Sequence, residues 1–327
     1  MKNIKRLMGL LLVCLMVIGM TACGSSGSSS SSSDSSDSEV DVSQLKVGII
    51  MKSSDEFQDT VVEGARAAAK ELGIPDANVR NVAATNESDS MQQVTACEDM
   101  ISNQTDILLV SCQEENALSA VLQTAADAGI KVVMVDTDCA PFKDKVTFIG
   151  TDNYQAAYDG AKEFSKTLNK GDNVVILRGK LGDVNHESRT KGLQDALSEA
   201  GINVLEVQDA NCETDKAASA MDAFITKYGD KINGVMVTSD SMAVGAASAI
   251  KSAGVSGVKV CGFDGFQAAI KLFETDEIEM IIAQKPYDIG YQGVMDGFGA
   301  LKGEEYDEYI NPGIAVINKD NYKDFMK

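Results

Sequence analysis

The sequence predicts an α/β protein made of two similar, doubly wound lobes, each built on a parallel sheet. Three observations carry that expectation. Short apolar runs alternate with helical patterns from residue 45 to the end; strands so apolar must be covered on both faces, the condition of a parallel sheet flanked by helices. Residues 106–138 (DILLVSCQEENALSAVLQTAADAGIKVVMVDTD) and 233–265 (NGVMVTSDSMAVGAASAIKSAGVSGVKVCGFDG) echo each other. Each has a strand, a helix ending in Ala-Gly, a second strand and then an aspartate. Finally, the stretch that can fold exceeds the usual size of one compact core, so two lobes are the natural division.

In chain order, the first segment is not part of either lobe. Lys2, Lys5 and Arg6 precede an apolar run over residues 7–20, shorter than the about 20 residues that cross a hydrocarbon core. With the small residues Thr21 and Ala22 it has the three regions of an export signal, expected over residues 1–22. Met20-Thr21-Ala22-Cys23 resembles a bacterial lipobox, which implies a lipid on Cys23 and a chain held at the membrane, outside the cell. The alternative is an ordinary signal cut near Ala22, with Cys23 incidental. Residues 25–38 are almost all serine with no apolar side chain to bury, so residues 23–42 are expected to be a flexible tether. A tether serves a chain anchored at one end.

Strands are then expected at residues 46–51, 79–83, 107–110, 132–135, 146–149, 173–177, 204–207, 234–237, 258–261, 280–283 and 313–317. Between them fall helices such as 61–72, 91–103, 154–168, 190–200 and 242–252. The two echoing aspartates, Asp136 and Asp264, stand at the carboxyl ends of strands, where open α/β sheets bind ligands. If the lobes face each other, the two carboxylates look into the cleft from opposite sides.

The formal net charge is −20, and loss of the basic leader makes the remainder more acidic still. No basic stripe occurs anywhere, so no nucleic-acid partner is expected. Apart from Cys14 in the leader and Cys23 at its end there are Cys97, Cys112, Cys139, Cys212 and Cys261, with no CxxC spacing and mostly beside apolar strands; buried free thiols are expected rather than a disulfide framework. With no tryptophan and 6% aromatic residues, stacking platforms are scarce. There is no GxSxG elbow, Walker loop, HExxH or GxGxxG after the first strand, and His186 is the lone histidine. No catalytic residue, metal site or cofactor is expected. Asp136 and Asp264 could serve as an acid/base pair, as in glycosidases. They could equally accept hydrogen bonds from ligand hydroxyls, charged acceptors making bonds about twice as strong as neutral ones.

The body of the chain resembles the type I periplasmic sugar-binding proteins, the ribose-binding group that shares its fold with the effector domains of lac-type repressors. The segments that carry the likeness are KVGIIMKSSDEFQDTVVEGARAAAKELG, VVMVDTD, FIGTDNYQAA, ESRTKGLQDAL, GVMVTSDSMAVGAASAIKSAG, VCGFDG and IIAQKPYDIGYQG, in the family's order. The resemblance implies a periplasmic-binding-protein-like fold whose lobes, residues 43–151 plus 285–312 and 152–284 plus 313–327, are joined by a three-strand hinge. It implies ligand contacts from Asp136, Asp264, Arg189, Gln284 and Ser111, from Ser239 where the family commonly has asparagine, and from Asp55, Phe57 and Gln58 in the first loop. Gln58 and Cys212 stand where ribose binders have rings, leaving Phe57 as the surviving aromatic, so the ligand need not be ribose.

Bland readings stand beside these. The aspartates could cap helices, Arg189 could lie on a helix surface, Ser239-Asp240 could be an N-cap and Phe57 could be core, while His186-Glu187 falls near the cleft in this mapping and is read as solvated. The function implied is a lipid-tethered, monomeric solute-binding protein that passes a sugar to an ABC permease and its ATPase. Its rivals are a sensor presenting ligand to a membrane receptor, a secreted glycoside hydrolase using the two aspartates, and a lac-type regulator, which would need a helix-turn-helix where the leader and tether lie.

Overall fold

A computed structural model describes residues 40–84 and 90–326; the leader, Cys23 and the serine run lie outside them. From Val40 onward the chain forms one compact unit. In order it contains β1 (Val47–Met51), α1 (Glu56–Leu72), β2 (Val79–Ala83), α2 (Ser90–Ser102), β3 (Ile107–Val110), α3 (Glu115–Asp127), β4 (Lys131–Val135), β5 (Phe148–Ile149) and α4 (Asn153–Ser165). There follow β6 (Asn173–Arg178), α5 (Val184–Ala200), β7 (Asn203–Asp209), α6 (Thr214–Tyr228), β8 (Gly234–Val237), α7 (Asp240–Ser252), β9 (Lys259–Asp264) and α8 (Gln267–Ile270). The last are β10 (Met280–Ala283), α9 (Pro286–Leu301), β11 (Tyr309–Ile310) and β12 (Ala315–Asn318).

Two six-stranded sheets result, β11-β5-β4-β3-β1-β2 and β12-β10-β9-β8-β6-β7. Successive residues of a strand point to opposite faces, and both faces are apolar. Val47, Ile49 and Met51 of β1 join one core cluster while Ile50 joins the cluster on the other side. The second sheet is layered in the same way, Val175 and Leu177 on one side and Val174 and Ile176 on the other. Helices cover each layer. α1 and α9 cross closely because glycines meet at the contact: a Cβ on Gly64 would run into the carbonyl of Tyr287, and one on Gly290 into that of Val61.

The chain passes between the two lobes three times: after β5, between β10 and α9, and between β11 and β12. The expected strands are present, with three differences. β12 runs antiparallel to β10, Ile317 opposite Ile281, because it re-enters the second lobe from the hinge end. β11 was not expected, since Tyr309-Ile310 is too short to form an apolar run; it pairs with β5. The folded body also starts earlier than residue 43, as Val40 and Val42 pack against the first lobe's core.

Candidate functional site

The carboxyl ends of the two sheets face a common cavity of about 210 Å³. From the first lobe it is lined by Lys52, Asp55, Phe57, Gln58 and Asp136. The second lobe adds Asp183, Asn185, His186, Arg189, Cys212, Ser239, Ser241, Asp264 and Phe266, and Gln284 sits at a crossing between the lobes. Eight of the nine expected ligand residues therefore share one space. The ninth, Ser111, is fully buried and donates to Asp136 at 3.0 Å, lying behind the aspartate rather than on the wall.

Asp136 directly follows β4 and adopts a left-handed backbone, φ 60°. For a residue other than glycine this conformation is costly and is retained where the surroundings impose it. Its Oδ2 accepts from Gln58 Nε2, Ser111 Oγ and Thr137 Oγ1, each at 3.0 Å, and lies 3.2 Å from Lys52 Nζ. These bonds all fall on one oxygen, which leaves Oδ1 as the acceptor for a ligand. Burial works to raise this carboxyl. The Lys52 charge, the Gln58 amide, Arg189 and Thr137 outweigh that and hold it below the usual range, so Asp136 is a firm anion.

Asp264 closes β9 with φ 123°. Its Oδ1 accepts from Arg189 Nη1 at 3.1 Å and Gln284 Nε2 at 2.7 Å. Burial raises this carboxyl, against the pull of Arg189, Gln284 and Ser239. Asp240, fully buried beneath it, accepts from the backbone N–H groups of Gly265 and Phe266 at 2.7 Å each and so holds the turn that presents Asp264. Burial, then the charge of Asp264, pushes Asp240 up to about 8.

Arg189 is not a surface residue. It is buried on α5, with Nε on Asn153 Oδ1 at 2.7 Å, Nη1 on the Thr238 carbonyl at 2.9 Å, and its guanidinium 4.1 Å over the Phe263 ring. With Nε and Nη1 so engaged, the fork's remaining pair of donors, on Nη2, is the pair a ligand can use. Asp55 does cap α1, accepting from the Gln58 N–H at 2.9 Å, while also lining the cavity. Ser239 holds the N-cap position of α7 without capping it through its side chain; its hydroxyl lies 3.2 Å from Ser241 Oγ. Phe57 belongs both to the first lobe's core and to the cavity wall.

Several wall residues were not legible in sequence. Lys52 bonds Thr137 Oγ1 at 2.9 Å and reaches to 3.9 Å from Asp183 across the cleft. Asn185, from the second lobe, donates to Thr137 Oγ1 at 3.0 Å. His186 lines the cavity and is only partly exposed: desolvation, then Arg189, pushes its pKa down to about 3, so the ring is neutral. Cys97, Cys112, Cys139 and Cys261 are buried thiols, whereas Cys212 is partly exposed, at the cavity. The one available signal was positional: Lys52 follows β1, and Asp183 precedes α5, at ends of elements that converge here. The wall carries four carboxylates against Lys52 and Arg189, which disfavours an anionic ligand and suits one rich in hydroxyls.

A two-lobed fold whose sheets point their carboxyl ends into one polar cleft defines a small-molecule binding protein. The profile described as periplasmic binding protein domain matches residues 47–305, and the chain belongs to that family. It is 34% identical over 230 residues to a D-ribose/D-allose-binding protein of Pseudomonas aeruginosa, covering 68% of this chain and 72% of the relative. It is 28% identical over 257 residues to the ribose import binding protein of Escherichia coli, covering 79% of this chain and 84% of that protein. The crystal structure of an ABC transporter periplasmic solute binding protein from Actinobacillus succinogenes with bound D-allose superposes with a TM-score of 0.80 at 28% identity, over 86% of this chain and all of that one. The family is one of substrate-binding proteins, not enzymes, and the hydrolase reading falls with that.

Proposed function

We propose that this chain is a lipid-tethered, extracytoplasmic binding protein that captures a monosaccharide between its lobes and delivers it, as a monomer, to an ABC permease and its ATPase. The observation that carries the reading is the opposition of Asp136 in one lobe to the Arg189–Asp264–Gln284 cluster in the other, across a cavity of about 210 Å³. A sugar hydroxyl both donates and accepts, so carboxylate acceptors and a guanidinium donor on facing walls fix its orientation. Phe57 and Phe266 offer apolar surface to its C–H faces. A ligand bonded to both walls favours the closed state to the extent that it binds that state better. The three crossings of the chain serve as the hinge.

A thermal-shift screen against pentoses, hexoses, polyols, nucleosides and amino acids tests the ligand class. A true ligand at 100 times its Kd stabilises by about 2.7 kcal/mol, several degrees in Tm. A sugar hit is expected; silence from every sugar beside a nucleoside or amino-acid hit would overturn the class. The anchor is tested separately, since Cys23→Ser should move the protein from the membrane fraction to the soluble one, and its retention at the membrane would refute a lipid on that residue.

A further inference from the structure

One wall of the cavity has almost no hydrogen-bonding capacity left. Cys212 Sγ lies 3.1 Å from His186 Nε2, and His186 Nδ1 lies 2.9 Å from Thr238 Oγ1. Both ring nitrogens are therefore spent, and the sulfur, a weak donor and weak acceptor at best, is paired with one of them. The pair is held in place from behind. The imidazole lies against Gly179, where any Cβ would strike the ring. Cys212 follows Asn211 in a pair of left-handed residues, φ 53° and 61°, and its carbonyl accepts from Ser241 Oγ at 2.7 Å. Because the partly buried ring is neutral, it offers no cationic donor either. The rest of the wall bristles with charge: Asp136, Asp183, Arg189 and Asp264.

We propose that Cys212 and His186 form a specificity wall that accepts a carbon bearing hydrogen or methyl and rejects one bearing hydroxyl, so that the site selects a deoxy position in its sugar. This rests on the sugar-binding reading above. A hydroxyl turned toward the pair would give up its bonds to water and find none in return, whereas hydrogen or methyl meets a polarizable sulfur and an imidazole ring face.

The test is calorimetric titration of the protein with D-ribose and D-allose and with the monodeoxy analogues of each. For a parent sugar that binds, the analogue lacking the hydroxyl that faces the pair is expected to bind about 10- to 100-fold tighter than the parent, and the others weaker by about 10-fold or more. Cys212→Ser, whose oxygen bonds His186 and still turns a strong lone pair to the ligand, should shift that one ratio toward the parent by about 10-fold or more. Cys212→Ala unpairs His186 Nε2 and leaves it open to a ligand hydroxyl, so it too should move that ratio toward the parent. The proposal is overturned if every analogue is penalised alike, or if Cys212→Ser binds with unchanged ratios. Failure of wild type to bind these sugars and every sugar of the thermal-shift screen would instead remove the sugar-binding reading, and this inference with it.

Discussion

Arg189→Met tests whether Asp264 is held as an ion by its partner. The substitution keeps an unbranched stem in the α5 wall and removes the guanidinium that lies 3.1 Å from Asp264 Oδ1 and stacks on Phe263. Both side chains of the pair are buried, 5% and 7% exposed, and breaking a buried pair by deleting one member costs about 3–5 kcal/mol because the other charge is left uncompensated. Asp264 already has a raised carboxyl through burial, and without Arg189 it should rise further. An acid whose folded pKa lies above its unfolded one destabilises the fold progressively as pH rises from the unfolded value through the folded one. The deficit of Arg189→Met, read from urea midpoints and slopes, should therefore be larger at pH 8 than at pH 5. Adding Asp264→Asn removes the stranded charge, so the double variant should recover about 0.5–3 kcal/mol relative to the sum of the single changes. Additivity within about 0.5 kcal/mol, with the same deficit at both pH values, would refute the coupling.

Three further outcomes are expected. Lys52→Met should move the Asp136 carboxyl titration, followed by carbon-13 NMR, to higher pH. Its depressed folded pKa contributes stability that is present above the unfolded value and lost as pH falls through the folded one, and this acid-side protection should shrink with the lysine gone. Asn185→Ala removes the interlobe bond to Thr137, worth about 0.5–1.5 kcal/mol; sugar affinity should fall by up to about 10-fold, with a larger radius of gyration by small-angle scattering, and an unchanged radius would count against a closing role. Gly290→Ala forces α1 and α9 apart at the Val61 carbonyl and should cost about 1–3 kcal/mol by overpacking, measured by urea unfolding.

The lobes were readable because their strands are buried on both faces. Such strands must be continuous apolar runs, and the runs at β1, β3, β4, β8 and β10 announce themselves. β11 did not, because its pairing with β5 comes from its position beside the hinge and not from its own two residues. The direction of β12 was equally hidden, since an antiparallel edge strand has the same local composition as a parallel one.

In the site, Asp136, Arg189, Asp264 and Gln284 were legible from the internal echo and from family likeness, as were their places at strand and helix ends. Lys52 and Asn185 were not, and His186 was placed near the cleft but read as solvated. A lysine after a strand, an asparagine and a histidine at the start of a helix have common solvent-exposed alternatives, and only the approach of the two lobes brings Lys52 to Asp183 and Asn185 to Thr137. Ser111 had the right position but the wrong side of the carboxylate.

By itself the sequence determined the two-lobed α/β architecture and the polar residues at the strand ends, because hydrophobic periodicity and turn chemistry are local properties of the chain. Tertiary structure alone decided how those residues are used. Which oxygen of Asp136 is spent, which donors of Arg189 remain, and that Cys212 and His186 neutralise each other across residues far apart in the chain all depend on distances between separate elements. Hydrogen bonding falls away steeply with distance and angle, so no pattern of neighbours in the sequence could have specified it.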